Sequence, residues 1–233
     1  MADNFKERFS QAVKETETVV YSYLPEETGH QKTIFEAMNY SVKAGGKRLR
    51  PLLMREVYRL FGGNGPEIEP FMAAMEMIHT SSLIHDDLPC MDNDEYRRGK
   101  LTTWKAYGYD MAVLAGDALM IYAFETASKA FSMGADPAKV GRAIGILAEK
   151  TGIYGMIGGQ TVDVELTGKA IPREKLDFIY RLKTGALLEA SMMIGAVLAG
   201  ATVEEIKEVE TMASEVGLAF QIQDDILDVT STQ

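Results

Sequence analysis

Apolar residues recur at helical spacing along nearly the whole sequence, and this periodicity is the feature that most limits the possible folds. Short alternating runs closed by tight turns, which would predict strands, are lacking. Helices are therefore predicted over residues 5–23, 31–44, 49–61, 67–87, 108–131, 138–167, 173–200 and 203–229. We expect an all-α fold, a bundle of long helices with function built on inward-facing side chains.

Proline, glycine and capping residues mark several of the predicted helix boundaries. The segment 62–66 is rich in glycine and ends one helix, and Asp136-Pro137 opens a later one with proline near the first position. Thr202 and Glu205 have the spacing of a capping box, which predicts a helix start there.

Charge and cysteine content limit the classes of function. The formal net charge of −10 provides no basic excess of the kind that nucleic-acid-binding proteins show. The single cysteine, Cys90, excludes an intrachain disulfide and is typical of a reducing cytoplasm. Residues 1–8 are too polar for a secretory signal, and charged or polar residues interrupt every apolar run before it reaches the length of a membrane span. We expect one cytoplasmic domain over residues 1–233 that neither spans a membrane nor binds nucleic acid.

Two aspartate-rich stretches lie far apart in the sequence, and the second has a regular helical spacing. Its polar residues occupy positions i, i+3, i+4 and i+7 and would form one stripe on a helix: Gln221, Asp224, Asp225 and Asp228. Carboxylates that point in one direction repel one another unless a cation lies between them. Magnesium prefers oxygen ligands and commonly binds through carboxylates and substrate phosphates. A solvated acidic face is the alternative, but the apolar flanking residues are typical of a core helix.

The first stretch contains Asp86, Asp87 and Asp92. Because Asp86 and Asp92 are six residues apart, they would point in different directions on a regular helix. Pro89 lies between them and disrupts the helix, so a loosened turn would bring Asp92 back beside Asp86. His79 lies on the same helical face as Asp86, about two turns earlier.

Basic residues cluster in two places. The glycines 45–46 precede Lys47, Arg48 and Arg50 at the predicted start of a helix, where backbone N–H groups, the helix dipole and the cationic side chains together would form a phosphate site. The glycine spacing is not that of a P-loop. The second cluster, residues 97–100, directly follows the first aspartates. Together with the acidic stretches, these clusters predict a site where metal ions and cations bind a diphosphate.

These motifs resemble those of the trans-prenyl (polyprenyl) diphosphate synthases. The matching segments occur in the family's order and at similar separations: Gly46–Pro51, His79, Asp86–Asp92, Arg97–Gly99, Lys183–Gly185 and Phe220–Asp228. The likeness is to the bacterial and plastid short-chain branch and covers nearly the whole chain. It implies the all-α isoprenoid synthase fold, a single bundle of long antiparallel helices around a central cavity, and a homodimer. It also implies condensation of isopentenyl diphosphate with dimethylallyl, geranyl or farnesyl diphosphate to give farnesyl or geranylgeranyl diphosphate.

The resemblance also implies roles for individual residues. Three magnesium ions, which manganese can replace, would bridge both acidic motifs and the allylic diphosphate. Their ligands would be Asp86, Asp87, Asp92, Asp224, Asp225 and Asp228. The allylic diphosphate would contact Arg97, Lys183 and Gln221, with Thr184 near the developing cation. Isopentenyl diphosphate would contact Lys47, Arg50, His79 and Arg98. The predicted catalytic residues are Asp86, Asp87, Asp92, Lys183 and Asp224.

Product length is predicted from the residues just before the first aspartate. In this family a bulky aromatic residue five positions earlier commonly stops growth at fifteen carbons. Ser81 occupies that position and Ser82 follows it, so the floor of the product tunnel is open and geranylgeranyl diphosphate is favoured. A larger residue on a neighbouring helix, Tyr122 or Phe124, would close the same space.

The chain stops at residue 233, directly after the second acidic motif, whereas members of the family continue for several tens of residues. We therefore expect it to lack C-terminal helices and to be weakly active or inactive alone. Three alternatives stay open: a class I terpene synthase, a non-catalytic subunit of a heteromeric prenyl synthase, and an acidic helical scaffold. A terpene synthase would not need the basic segment 46–51, and non-catalytic subunits usually lose aspartates.

Overall fold

The computed structural model describes residues 2–230, without the side chains of residues 2, 3, 224, 225, 228 and 229. Within that part the chain is almost entirely helical, so the all-α prediction is confirmed. The helices are α1 (Ala2–Ser22), α2 (Lys32–Val42), α3 (Leu49–Leu60), α4 (Glu69–Asp86), α5 (Thr103–Tyr107), α6 (Tyr109–Ser128), α7 (Pro137–Thr151), α8 (Met156–Leu166), α9 (Arg173–Ile179), α10 (Ala186–Ala199) and α11 (Val203–Thr230). Short 3-10 turns lie at Pro66–Ile68 and Lys129–Met133, and a π-helical segment, Tyr180–Gly185, joins α9 to α10.

The chain divides into two compact units. The first contains residues 1–52 and 66–135, and the second contains residues 53–65 and 136–233. Helix α3 therefore begins in the first unit and ends in the second. The single domain over residues 1–233 stays a prediction.

Helices α4 and α6 form the centre of the first unit. At one end, a methyl group on Gly116 of α6 would overlap the imidazole of His85 on α4, so the helices approach closely there. At the other end, the 3-10 turn before α4 contacts the one after α6. The two helices are therefore antiparallel. Much of α4 is buried, including Phe71 and Met75, as expected for a helix with apolar residues on all sides.

Helix α10 forms the centre of the second unit, and every residue from Ala186 to Leu198 is buried. It packs against α7 and α11. Lys150 on α7 donates hydrogen bonds to Glu189 on α10 and, at 2.6 Å, to Oε1 of Glu210 on α11. Burial acts to lower the pKa of Lys150, but the two carboxylates outweigh it and raise that pKa above its ordinary value. These ion pairs tie the three helices together.

Two predicted capping arrangements are confirmed. The Asp136 side chain accepts a hydrogen bond from the backbone N–H of Ala138 at 2.9 Å, and Pro137 is the first residue of α7. At the start of α11, Glu205 Oε2 accepts from the Thr202 N–H at 2.7 Å, and Thr202 Oγ1 accepts from the Glu205 N–H at 3.2 Å. This reciprocal pair is a capping box.

The structure corrects the sequence prediction at several places, and the short helix α5 was not predicted. The helix predicted over 138–167 is broken into α7 and α8, and a Cβ at Gly155 in the connection would overlap the backbone of Lys150. The helix predicted over 173–200 contains the π-helical segment. A two-stranded antiparallel hairpin, β1 (Tyr96–Arg97) and β2 (Lys100–Leu101), was missed because strands this short show no alternating pattern.

Two stretches, Tyr109–Met133 and Arg173–Ala199, are long and apolar enough to cross a bilayer, judged by length and composition. In the second, 72% of the most apolar window is buried inside the protein. Core helices of globular proteins also satisfy this criterion, so it does not by itself indicate a membrane span.

Candidate functional site

The first acidic motif forms a compact turn at the end of α4. The helix ends at Asp86, and the backbone N–H of Asp92 donates to the Asp86 carbonyl at 2.9 Å. Asn93, with a φ of +56°, donates its N–H to the Leu88 carbonyl at 3.1 Å. The turn that Pro89 predicted is therefore present, and it returns the chain at Asp92 to the end of the helix.

Asp87 is buried and paired with Arg97 of the hairpin. Its Oδ1 accepts from Arg97 Nε at 2.7 Å and lies 2.6 Å from Nη2. Burial, with smaller contributions from the neighbouring Asp94 and Asp92, raises the pKa of Asp87 above its ordinary value even though Arg97 acts to lower it. The Asp87 carboxylate therefore already has a cationic partner within the protein, the Arg97 guanidinium.

The donor groups of this motif fit a magnesium ion that also binds substrate phosphate. Among the residues that the structure describes, no three histidine, cysteine or acidic side chains are arranged as a metal site. Magnesium, however, typically binds through one or two carboxylates, retains several waters, and uses substrate phosphates for the remaining positions. Asp86, which is partly exposed, and Asp92, which is exposed, meet at the turn and supply oxygen donors of that kind.

A glycine turn before α3 receives a guanidinium group from the hairpin. Gly45 and Gly46 have φ values of +90° and +139°, which favour glycine. Arg98 Nη1 donates to the Gly45 carbonyl, and a Cβ on Gly46 would lie 2.8 Å from Arg98 Cζ. The absence of a side chain at Gly46 therefore creates the space in which the Arg98 guanidinium lies.

His79 lies among several guanidinium groups. Its Nε2 is 3.3 Å from Arg50 Nη1. Burial lowers the pKa of His79 well below 6.5, and the positive charges of Arg50, Arg98, Arg48 and Arg97 lower it further. The imidazole is therefore neutral at pH 7.

Arg50 and Arg98 are themselves in an environment with excess positive charge. The pKa of each is lowered, first by burial and then by neighbouring arginines, although Glu76 opposes this effect. The buried Arg50 Nε has no hydrogen-bond partner in the described part of the chain. A bound anion would relieve the repulsion and supply acceptors.

The Arg48 side chain is paired within the core, which corrects the interpretation of residues 47–50 as three cations of one phosphate site. Its side chain is fully buried, and Nη1 lies 2.5 Å from Glu76 Oε1. It also donates to the Val42 carbonyl at 2.7 Å and to Glu17 at 3.2 Å. A φ of +50° at Arg48 accompanies this inward direction, which sequence spacing does not reveal.

The second unit contains a separate cluster of predicted site residues. Thr184 Oγ1 donates to Gln221 Oε1 at 2.8 Å, so the structure brings these two predicted residues together. Lys183 Nζ donates to Asp163 Oδ2 at 2.6 Å. Sequence reasoning missed Asp163, because its contact with Lys183 depends on the close packing of α8 at the buried Gly159, which the sequence does not show.

The second acidic motif lies within α11, which continues as a regular helix through residues 224–228. The helical spacing predicted for the motif is therefore present in the backbone. The side chains of Asp224, Asp225 and Asp228 lie outside the described residues, so their roles as metal ligands stay predictions.

Ser81 and Ser82 have their hydroxyl groups satisfied within α4. Ser81 is fully buried and donates to the Ile78 carbonyl at 2.7 Å, and Ser82 donates to the His79 carbonyl at 2.9 Å. The Tyr122 hydroxyl donates to the Tyr23 carbonyl at 3.1 Å. Neither serine hydroxyl therefore requires a polar partner from another helix.

Comparison with known proteins identifies related sequences and structures. Residues 31–233 match the family model for polyprenyl synthetase. A chloroplastic geranylgeranyl pyrophosphate synthase of Capsicum annuum is 49% identical over 200 residues, covering 85% of this chain and 54% of that protein. The farnesyl diphosphate synthase of Geobacillus stearothermophilus is 43% identical over 234 residues, covering 100% and 78%. This chain thus spans about half the length of its chloroplastic relatives.

Among solved structures, an apo FPP/GFPP synthase from Zymomonas mobilis matches with a TM-score of 0.91 and 37% sequence identity. The alignment covers 100% of this chain and 84% of that one. A geranyltransferase from Legionella pneumophila matches with a TM-score of 0.89 and 34% identity, covering 97% of this chain and 79% of that one. The helical architecture described above is therefore shared with solved prenyl synthases.

Proposed function

This chain belongs to the polyprenyl synthetase family, and on that basis we propose that it is a trans-prenyltransferase of the farnesyl or geranylgeranyl diphosphate synthase type. It joins isopentenyl diphosphate to an allylic diphosphate and releases pyrophosphate. The relatives named as farnesyl and geranylgeranyl synthases support this reaction.

The observation that carries the proposal is the cationic cluster around His79. Arg50 Nη1 lies 3.3 Å from His79 Nε2, and the buried Arg50 Nε has no hydrogen-bond partner in the described part of the chain. The pKa values of Arg50 and Arg98 are lowered by burial first and by neighbouring arginines second. A diphosphate group supplies several acceptors and the charge that relieves this repulsion. Together with Lys47, these residues form the proposed pocket for isopentenyl diphosphate.

Magnesium is the proposed cofactor, and manganese can replace it. Asp86 and Asp92 of the first motif and the aspartates 224, 225 and 228 of the second are its proposed ligands. Asp87 is proposed to act on the same motif mainly through Arg97, because its carboxylate is already bonded there. When bound, the metal neutralises charge that develops on the departing pyrophosphate.

The proposed reaction needs no nucleophile from the protein. The carbon–oxygen bond of the allylic diphosphate breaks, and its electron pair leaves with pyrophosphate, to which Arg97 and Lys183 donate hydrogen bonds. The double bond of isopentenyl diphosphate then attacks the allylic cation, and a proton passes to the pyrophosphate. Thr184, bonded to Gln221, contributes oxygen atoms near the cation. Apolar helix walls exclude the water that would trap the cation as an alcohol.

We propose geranylgeranyl diphosphate as the favoured product. Ser81 is small and its hydroxyl is satisfied inside α4, so it presents little obstacle to an apolar chain. Helices α4 and α6 are antiparallel, and His85 of α4 lies opposite Gly116 of α6. In that alignment Phe124 of α6 lies about one helical turn, roughly 6 Å, further from Asp86 than Ser81 does. A chain that passes Ser81 is therefore proposed to meet Phe124 next.

We propose that a second copy of the chain covers the exposed apolar side of α6. Leu114 is 53% exposed and Ile121 is 70% exposed, one above the other on the helix. They line a concave surface with Ile34 of α2. Exposed apolar surface of this kind is typical of an interface between subunits.

The test of function is a product assay. The protein in its full natural length is supplied with magnesium, isopentenyl diphosphate and each allylic diphosphate from five to fifteen carbons, and product length is measured. We expect longer prenyl diphosphates that require both substrates. Consumption of the allylic substrate without isopentenyl diphosphate would indicate a terpene synthase. Failure to form product with any primer would contradict the proposal.

A further inference from the structure

An ion pair in the second unit involves a residue that no motif in the sequence singles out. Lys183 Nζ donates to Asp163 Oδ2 at 2.6 Å, and each side chain is 33% exposed. In the proposed function, Lys183 binds the diphosphate of the allylic substrate. Asp163 therefore contacts a group that binds substrate.

Backbone packing determines where this pair forms. Gly159 of α8 is buried, and a Cβ there would overlap the backbone nitrogen of Lys183. Asp163 follows Gly159 by four residues and so lies on the same face of α8, one turn later. The pair thus follows from the close approach of α8 to the π-helical segment, which distinguishes it from a chance meeting of two surface side chains.

The backbone that carries Lys183 is held from a second side as well. Lys183 lies within the π-helical segment Tyr180–Gly185, and such segments are frequent at functional sites. The next residue, Thr184, donates to Gln221 of α11 at 2.8 Å. Contacts with α8 on one side and α11 on the other therefore fix the backbone at Lys183. The side chain of Lys183 is long and can still adopt several directions.

We propose that Asp163 is a positioning residue that holds the Lys183 ammonium ready for the allylic diphosphate, an inference that rests on the proposed function. An ammonium group has three donors, so it can keep Asp163 and still donate to a phosphate oxygen. A free lysine side chain loses rotamer freedom when it binds an anion. Asp163 restricts that side chain before substrate arrives, so less freedom is lost on binding.

Kinetics of Asp163→Ala and Asp163→Asn test the proposal. For the alanine variant we expect the KM of the allylic diphosphate to rise about tenfold, the effect of a modest misplacement of a binding group. The asparagine variant should show a smaller rise because its amide oxygen still accepts a hydrogen bond. The KM of isopentenyl diphosphate should not change. Glu165→Ala is the matched control, since it removes the same charge from an exposed position on α8.

A double-mutant cycle separates positioning from a structural role. When Lys183→Ala is already present, Asp163→Ala should cause no further rise in the allylic KM, because the group it positions is gone. An equal rise in both backgrounds would overturn the proposal. So would an unchanged KM in the single variant, or a lower one, which would mean that Asp163 competes with the diphosphate for Lys183.

The affinity for magnesium pyrophosphate, measured by calorimetry, tests the proposal independently of catalytic activity. Asp163→Ala should weaken this binding and Glu165→Ala should not. Equal affinities in wild type and Asp163→Ala would overturn the inference even if the enzyme makes prenyl product. A wild-type protein of full natural length that makes no product would contradict the proposed function alone. Thermal melting of the nearly isosteric Asp163→Asn variant confirms that the fold is intact.

Discussion

The cations of the basic segment 47–50 have the same charge but different surroundings in the structure. Arg50 points toward His79, whereas Arg48 is buried against Glu76. Both belong to one short run of cations, and spacing alone assigned them to one phosphate site. The difference arises from the backbone, because Arg48 adopts a left-handed conformation that directs its side chain into the core. Sequence spacing therefore does not reveal which of these cations is buried and which contacts His79.

Gly46 should be required for binding of isopentenyl diphosphate. In Gly46→Ala, the new methyl group would lie 2.8 Å from Arg98 Cζ, so we expect Arg98 to be displaced and the KM of isopentenyl diphosphate to rise. Gly45→Ala is a matched control, since its φ is also positive but no atom lies within 4 Å of the added carbon. Equal effects of the two substitutions on this KM would show that backbone strain, and not the Arg98 contact, is responsible.

His79 should make stability depend on pH. Its pKa is lowered in the folded state, so the unfolded chain binds more protons as the pH falls below about 6.5, and the free energy of unfolding decreases there. One such group contributes at most about 1.4 kcal/mol per pH unit. Urea unfolding of wild type and His79→Gln between pH 7.5 and pH 5.5 measures this effect. Parallel pH profiles for the two proteins would contradict the prediction.

At the scale of helices and turns, proline, glycine and capping residues predicted most boundaries because they act through their own backbone. Asp136 and Thr202 cap α7 and α11 as expected. The break between α7 and α8 was not predicted, since glycine also occurs inside helices and only tertiary packing decides which one ends them. Asp163 was missed for a similar reason: its partner lies across a helix contact, and the sequence does not specify that contact.

Close packing of α8 on the π-helical segment should be sensitive to one methyl group. Gly159→Ala adds a carbon that overlaps the Lys183 backbone, so we expect a loss of about 1–3 kcal/mol in the free energy of unfolding. Gly141→Ala is the control, because the added carbon meets nothing within 4 Å in α7 and should stabilise the helix by about 0.5–1 kcal/mol. Denaturant unfolding gives both values. Stabilisation by both substitutions would contradict the predicted overlap.

Helix α4 packs against α6, and this packing leads to a prediction about product length. Ser81→Phe fills a fully buried position five residues before Asp86, so we expect the main product to become shorter. Phe124→Ala should act in the opposite sense and allow longer products. Chromatography of the dephosphorylated products measures both. An unchanged distribution in Ser81→Phe would show that Ser81 is not the floor of the tunnel.

For the whole molecule, the exposed side of α6 predicts association of two chains. Ile121→Glu places a charge at the proposed interface, so we expect light scattering to report one chain where wild type reports two. Leu60→Glu is the control, because Leu60 is 74% exposed at the end of α3, far along the chain from α6. A dimer that persists in Ile121→Glu and in Leu114→Glu would contradict the proposed interface.

The buried pair of Arg48 and Glu76 has a consequence for genetic screens of this protein. A selection that reports only product formation would score the loss of Arg48 and the loss of Arg50 as equivalent defects. The first removes a cation from a buried cluster and leaves Glu76 without its partner, a change that typically costs several kcal/mol and lowers the amount of folded protein. The second, given the proposed role of Arg50 in binding isopentenyl diphosphate, is expected to lower the turnover of each molecule more than the abundance of the protein. A screen that measures cellular abundance separately from activity would distinguish the two defects.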